Sequence, residues 1–287
     1  MPAADEAPVR YAVADGVATV TMNRPRVGNA QHPLMTYALD DAFTRAAADD
    51  AVRVIVLRGA GRHFSAGHDI GTPERDAGGP FERRTLWWDG DARPGAEAPF
   101  VREQEQYLGL CRRWHEIPKP TIAMVQGGCI AGGLMLAWIC DLIVAADDAF
   151  FQDPVLRMGV PGVEYFAHAQ ELNLRLAREF LYLGERIGAE RALQIGMVNR
   201  VVPAAQLEAE TYAIARRLVQ QPKLALALAK QVFNRIEELQ GLRASIDMAF
   251  GYHHLAHAHN QLVHGDGIGG QDPRAMAAAN RGDEPGC

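Results

Sequence analysis

Three short β-branched runs constrain this chain most: Val52–Leu57 (VRVIVL), Thr121–Gln126 (TIAMVQ) and Asp141–Ala145 (DLIVA). Each is short enough to be a buried strand and shows no apolar/polar alternation. A helix opening at Pro33 and running over 33–48 precedes the first, another over 101–116 separates the first two, and an apolar helix after Gly133, running to Ile139, separates the last two. Repeated strand, loop and helix argue for an α/β core. Ahead of them, Val9, Tyr11 and Val13 alternate, Asp15-Gly16 supplies a turn, and Val17–Met22 returns, which reads as a hairpin.

The second half changes character. Helices are expected over 174–183, 189–196, 204–220 and 222–260, with a short strand at Val198–Val202 and breaks at Gly184, Gly188 and Pro222. The expected division is an α/β core over 1–200 that carries the site, a helical region over 201–265, and a loose tail over 266–287. Residues 71–99, rich in Gly, Pro and charge, read as a long mobile surface loop.

Bulk properties narrow the function classes. With 287 residues, 48% of them hydrophobic, there is ample material for one large domain or two modest ones. A net charge of −6 gives no electrostatic support to a nucleic-acid partner. Cys111, Cys129, Cys140 and Cys287 form no C-x-x-C pair and read as free thiols of a reducing compartment. The N-terminus shows no signal-peptide pattern, and no apolar run approaches the ~20 residues of a membrane helix. The expectation is a cytoplasmic protein with no membrane partner.

Two strand-to-glycine transitions carry the chemistry: Phe64-Ser-Ala-Gly-His-Asp69 after one strand, and Gly127 to Gly133 after another. A Gly-rich turn lets a ligand approach the backbone, and a helix start offers unpaired N–H groups to an oxyanion. Either stretch alone also suits tight packing.

Around these turns the chain resembles the crotonase superfamily, the enoyl-CoA hydratase/isomerase family, over roughly residues 9–260. The resemblance rests on Asn23-Arg24-Pro25 with Asn29-Ala30, FSAGHD at 64–69, PKPTIA at 118–123, VQGGCIAGG at 125–133 and CDLIVAADDAFFQDP at 140–154. Gly159-Val-Pro-Gly and ALQIGMVNRVV at 192–202 complete it. It implies a spiral of ββα units with a helical C-terminal region that trimerises, often into hexamers. It also implies an acyl-CoA thioester as substrate, in fatty-acid or related metabolism, with no cofactor besides that coenzyme A and no metal. The backbone N–H groups of His68 and Gly132 would form the oxyanion hole for a thioester enolate. Arg24 and Arg26 fall where the family contacts the CoA phosphates. Ala66, Asp69, Ile70 and Gly162 would line the substrate site; Asp69 reads as a loop tie.

The chain departs from the family where hydratases keep two glutamates. Those positions hold Met135, one helical turn after Gly132, and Val155, after Pro154. Neither transfers a proton, which argues against ordinary hydration. Glu164, two residues after Gly162, is a candidate replacement, or else a helix N-terminal Glu. Asp153 is a weaker candidate. The readings left open are a hydratase of altered chemistry, an isomerase-type enzyme using Glu164, and a non-catalytic acyl-CoA-binding oligomer. Trp87 and Trp88 either cap an acyl pocket or anchor their loop. His253, His254, His257, His259 and His264 cluster near the C-terminus. His253 and His257 have the i, i+4 spacing of metal ligands, but no H-E-x-x-H pattern accompanies them, and a packed helix face is the expectation.

Overall fold

The computed structural model describes residues 7–74, 83–85 and 94–271. Trp87, Trp88, Cys287 and most of the expected tail lie outside the described residues. The hairpin forms as β1 (Val9–Ala14) and β2 (Val17–Met22), with Asp15 and Gly16 both at positive φ, +51° and +78°. That pair matches the right-handed twist of the strands it joins. The apolar runs become β3 (Val54–Gly59), β4 (Thr121–Val125) and β6 (Leu142–Ala146). With β9 (Arg200–Val202) they give one sheet of order β1-β2-β3-β4-β6-β9, parallel beyond the hairpin.

Both faces of this sheet are covered, which explains the lack of alternation in the sequence. Ala18, Ile55, Leu57, Ala123 and Val125 point into the main core, with α1 (Pro33–Ala48) packed there. Val17, Val54, Val56, Ile122 and Met124 point the other way, onto α8 (Leu207–Val219). Through β9 and α8, the chain up to Val219 is therefore packed with the sheet. A second, three-stranded sheet follows the order β5 (Gly128–Ile130), β7 (Phe150–Gln152) and β8 (Ile187–Gly188). Isolated parallel bridges, Ser65 to Cys129 and Gln31 to His68, extend the same stacking through the loops. The result is the α/β spiral with helical C-terminal elements that the resemblance implies.

The remaining helices are α2 (Glu97–Glu103), α3 (Leu110–His115), α4 (Gly132–Trp138), α5 (His168–Glu171), α6 (Leu174–Leu183) and α7 (Ala189–Gln194). The helix expected over 101–116 begins earlier and carries a π-helical turn, Gln104–Gly109, between α2 and α3. The single helix expected over 222–260 is two, α9 (Lys223–Leu239) and α10 (Leu242–His264). Gly241, at φ +95°, breaks it. Of the expected loose tail, residues 269–271 are tied by their N–H groups to the carbonyls of Met158 and Arg157. No helix among the described residues is long and apolar enough to cross a membrane. Cys111, Cys129 and Cys140 are buried free thiols, all pushed up by burial.

Candidate active site

The loop after β3 is held by its neighbours before any ligand is considered. Asn29, fully buried, donates through Nδ2 to the carbonyls of Ala60 and His63. Ser65 Oγ donates to the Asn29 carbonyl and accepts from the Gly67 N–H. The bridge to Gln31 uses the Gly67 carbonyl and the Asp69 N–H, both at 2.7 Å. A parallel bridge of that kind leaves the residue between them, His68, with its own N–H facing away.

Gly127 to Gly133 then brings the second turn against the first. Ala131 sits at φ +47°, uncommon for a residue with a Cβ, and its N–H donates to the Gln152 carbonyl. It presents Gly132 at the start of α4. A Cβ on Gly67 would stand 2.9 Å from the Ile130 carbonyl oxygen and 3.1 Å from the Gly132 nitrogen. Among the described residues, neither the His68 nor the Gly132 N–H has a hydrogen-bond acceptor. Two unpaired donors on adjoining loops are what an oxyanion requires.

The His68 ring is the feature that sequence reasoning did not anticipate. It lies over Gly132: a Cβ there would meet its Cε1 at 2.7 Å and its Nδ1 at 3.0 Å. Its other face is against Tyr107, ring centroids 3.9 Å apart. Nε2 lies 2.9 Å from Glu164 Oε2, and the Glu164 side chain is 3% exposed. Nδ1 is buried and has no hydrogen-bond partner among the described residues. Burial pulls the His68 imidazole down, but the Glu164 carboxylate outweighs it, and the net shift is upward. Burial likewise pushes the Glu164 carboxyl up, and the His68 charge overcomes it to hold it below its ordinary value. Both shifts favour the charged form of the group concerned. A helix N-terminal role for Glu164 does not describe this position, because α5 begins four residues later at His168.

A cavity of about 840 Å³ collects most of the expected residues. His68, Asp69, Ile70, Val155, Gly162 and Glu164 line it, joined by Glu103 and Tyr107 from the helix over 97–115 and by His253 and His257 from α10. Met135 is fully buried and does not line the cavity; its Sδ accepts the Tyr165 N–H. Ala66 is exposed, its N–H bound to the Gly28 carbonyl. Arg24 is engaged within the protein: its guanidinium lies 2.8 Å from both Asp69 and Glu74. Asp69 also accepts from the Thr72 N–H and hydroxyl within its own loop. Arg26 lies exposed in the turn Pro25–Val27. Asp153 is fully buried and paired with His168 at 2.8 Å, so it does not reach the cavity.

With this geometry in place, comparison with known proteins identifies the lineage. The family model for enoyl-CoA hydratase/isomerase matches residues 12–87 and 95–265. This chain belongs to that family, the crotonase superfamily. A Mycobacterium tuberculosis protein named "Putative enoyl-CoA hydratase EchA13" is 41% identical over 257 residues, 88% of this chain and 81% of the relative. The hydroxycinnamoyl-CoA hydratase-lyase of Pseudomonas fluorescens is 32% identical, covering 80% of this chain and 79% of its own. The crystal structure of a "probable" enoyl-CoA hydratase from Mycobacterium smegmatis superposes with a TM-score of 0.82 at 42% identity, over 91% of this chain and 98% of the other. These likenesses place the chain among crotonases of hydratase/isomerase type.

Proposed function

We propose that this crotonase is an enzyme that binds an acyl-CoA thioester and stabilises its enolate between the N–H groups of His68 and Gly132. Proton transfer to or from that enolate is assigned to the His68–Glu164 pair. The observation that carries the reading is the position of the His68 ring: gripped at Nε2 by Glu164, stacked over the oxyanion glycine, with Nδ1 unpartnered. A carboxylate that fixes one ring nitrogen leaves the other to exchange a proton with a reacting atom. Glu164 then sets the ring's orientation and basicity, and His68 does the exchange. The pair would take over the task of the two glutamates, whose positions hold Met135 and Val155, 0% and 4% exposed. Coenzyme A enters as part of the substrate, and no other cofactor is required.

Both water addition to an enoyl-CoA and double-bond migration within it pass through such an enolate. A panel of 2-enoyl-, 3-enoyl- and dienoyl-CoA substrates, with products resolved by mass spectrometry, separates the two. Glu164→Gln should reduce turnover at least about 100-fold while acyl-CoA affinity stays within about two-fold. Unchanged turnover in that variant removes the pair from the mechanism.

A second reading is a non-catalytic acyl-CoA-binding oligomer. It draws on the replacement of both usual acids by apolar side chains that are themselves buried. It expects measurable acyl-CoA binding with no product from any member of the panel. Either reading places the protein in acyl-CoA metabolism of the cytoplasm. Self-association as a trimer or hexamer is supported by apolar side chains left exposed on α9 and α10, among them Leu228, Phe233, Leu239, Leu255 and Leu262, which are 51%, 66%, 87%, 65% and 87% exposed.

A further inference from the structure

Three basic-nitrogen and carboxylate donors converge at the far side of the same cavity. His253 and His257 stand one turn apart on α10, and the tertiary fold adds Glu103 from the end of α2, 150 residues away in sequence. One donor atom from each of the three lies within 4.8 Å of the others. His253 Nε2 is 2.8 Å from His257 Nε2 and 3.3 Å from Glu103 Oε2. His254 Nε2 stands 3.2 Å from the same Glu103 oxygen.

The tautomers follow from the outer contacts. His253 Nδ1 is 2.7 Å from the Gly162 carbonyl oxygen, and His257 Nδ1 is 2.7 Å from that of Gly267. A carbonyl oxygen only accepts, so both Nδ1 atoms carry protons. In the neutral rings both Nε2 atoms are then acceptors, aimed at each other and at a carboxylate. Three converging acceptors need a cation among them. A proton on one ring is one solution. A metal ion is the other, and a ligating histidine characteristically donates its second N–H to a backbone carbonyl, as both do here.

We propose that Glu103, His253 and His257 form a site for a divalent transition-metal ion of the zinc class, with its open position facing the acyl cavity. Two histidines and one carboxylate, with a fourth position open, is a donor set that suits zinc. Tetrahedral bonds of about 2.0–2.1 Å set neighbouring donors roughly 3.3 Å apart. The Glu103–His253 separation already meets that, and the two Nε2 atoms need to part by about half an ångström. The sequence expectation of no metal rested on the family resemblance and on the missing acid after His253. That acid arrives from another helix, beside the π-helical turn at Gln104–Gly109. The site stands independently of the proton-transfer role assigned to His68 and Glu164.

The test uses the full chain, stripped with a chelator and dialysed, then titrated with Zn²⁺ by calorimetry and with Co²⁺ by visible absorption. One ion per chain is expected, with the intense d–d absorption of a tetrahedral cobalt site. Glu103→Gln and His257→Gln should each weaken Zn²⁺ binding at least about 100-fold. His259→Gln, an exposed histidine on the same helix, should leave it unchanged. Zn²⁺ should raise the melting temperature of the parent protein and of the His259 variant but not of the other two. Failure of the parent protein to bind one ion per chain overturns the proposal, and so does equal affinity in His257→Gln. Either result leaves a proton-sharing histidine pair in its place.

Discussion

Replacing Glu164 by Gln isolates the charge of the central pair, because the amide keeps the shape and one acceptor for His68 Nε2. The two groups shift in opposite directions, so the pH dependence has a definite form. A raised imidazole pKa means that the folded protein holds that proton more tightly than the unfolded chain. This contribution is complete below the ordinary value of 6.5 and is lost as pH climbs through the folded value. A depressed carboxyl contributes above its ordinary 4.5 and is lost as pH falls through the folded value. The pair therefore stabilises the fold in the window bounded below by the lowered Glu164 value and above by the raised His68 value. Stranding one member of a buried pair costs about 3–5 kcal/mol. His68 can shed its proton when Glu164 is neutralised, which discounts the cost to about 2–3 kcal/mol near pH 6. Above the folded His68 value the difference should fall toward zero. For a chain of this size the loss near pH 6 lowers the melting temperature by about 3–5 °C. Denaturant titrations of both proteins from about pH 5 to about pH 9 read the difference directly. The His68 ring, followed by NMR, should titrate above its ordinary value in the parent and lower in the variant, where the Glu103 charge alone still opposes burial. A stability difference flat across that range, or one growing with pH, refutes the argument, as does an unmoved His68 titration.

Other expectations follow from the same packing. Gly132→Ala drives a methyl to 2.7 Å from His68 Cε1; the ring must move, and displacement of about 1 Å should cost about 100-fold in kcat with a modest change in melting temperature, checked by steady-state kinetics and thermal denaturation. Asp153→Asn breaks a pair whose side chains are 0% and 1% exposed and should destabilise the fold by about 3 kcal/mol in denaturant titrations. Burial and the Glu237 charge push the Glu171 carboxyl up to about 8, so its folded form keeps a proton that the unfolded chain gives up above 4.5. Stability should fall as pH rises between those values, and Glu171→Gln should flatten the fall in a pH series of melting temperatures. Phe233→Asp places a charge on the exposed apolar face of α9 and should shift the sedimentation coefficient toward the monomer if that face carries self-association.

The local signals in this sequence were strong where one segment sufficed to decide the structure. Apolar runs such as VIVL, residues 54–57, bury on both faces and allow little besides a central strand. Asp15-Gly16 supplies the positive φ angles of its turn, and Pro33 opens a helix that ends at Ala48 as its composition suggests. The glycine turns marked where the two loops meet, a Cβ on Gly67 standing 3.1 Å from the Gly132 nitrogen, because close backbone approach leaves its mark on the residue type itself. The break at Gly241 was missed because a single glycine within an apolar-periodic segment fits either a continuous helix or two. What the chain could not announce were contacts between distant segments. Nothing local to Glu164 tells a surface or helix N-terminal acid from a buried one until His68, 96 positions away, is seen at 2.9 Å. Arg24 resembles a phosphate contact until Asp69 and Glu74 claim its guanidinium. Glu103 carries no mark that it meets His253. Close backbone approach is thus encoded in residue types, whereas side-chain pairing depends on burial and charge that only the folded chain creates.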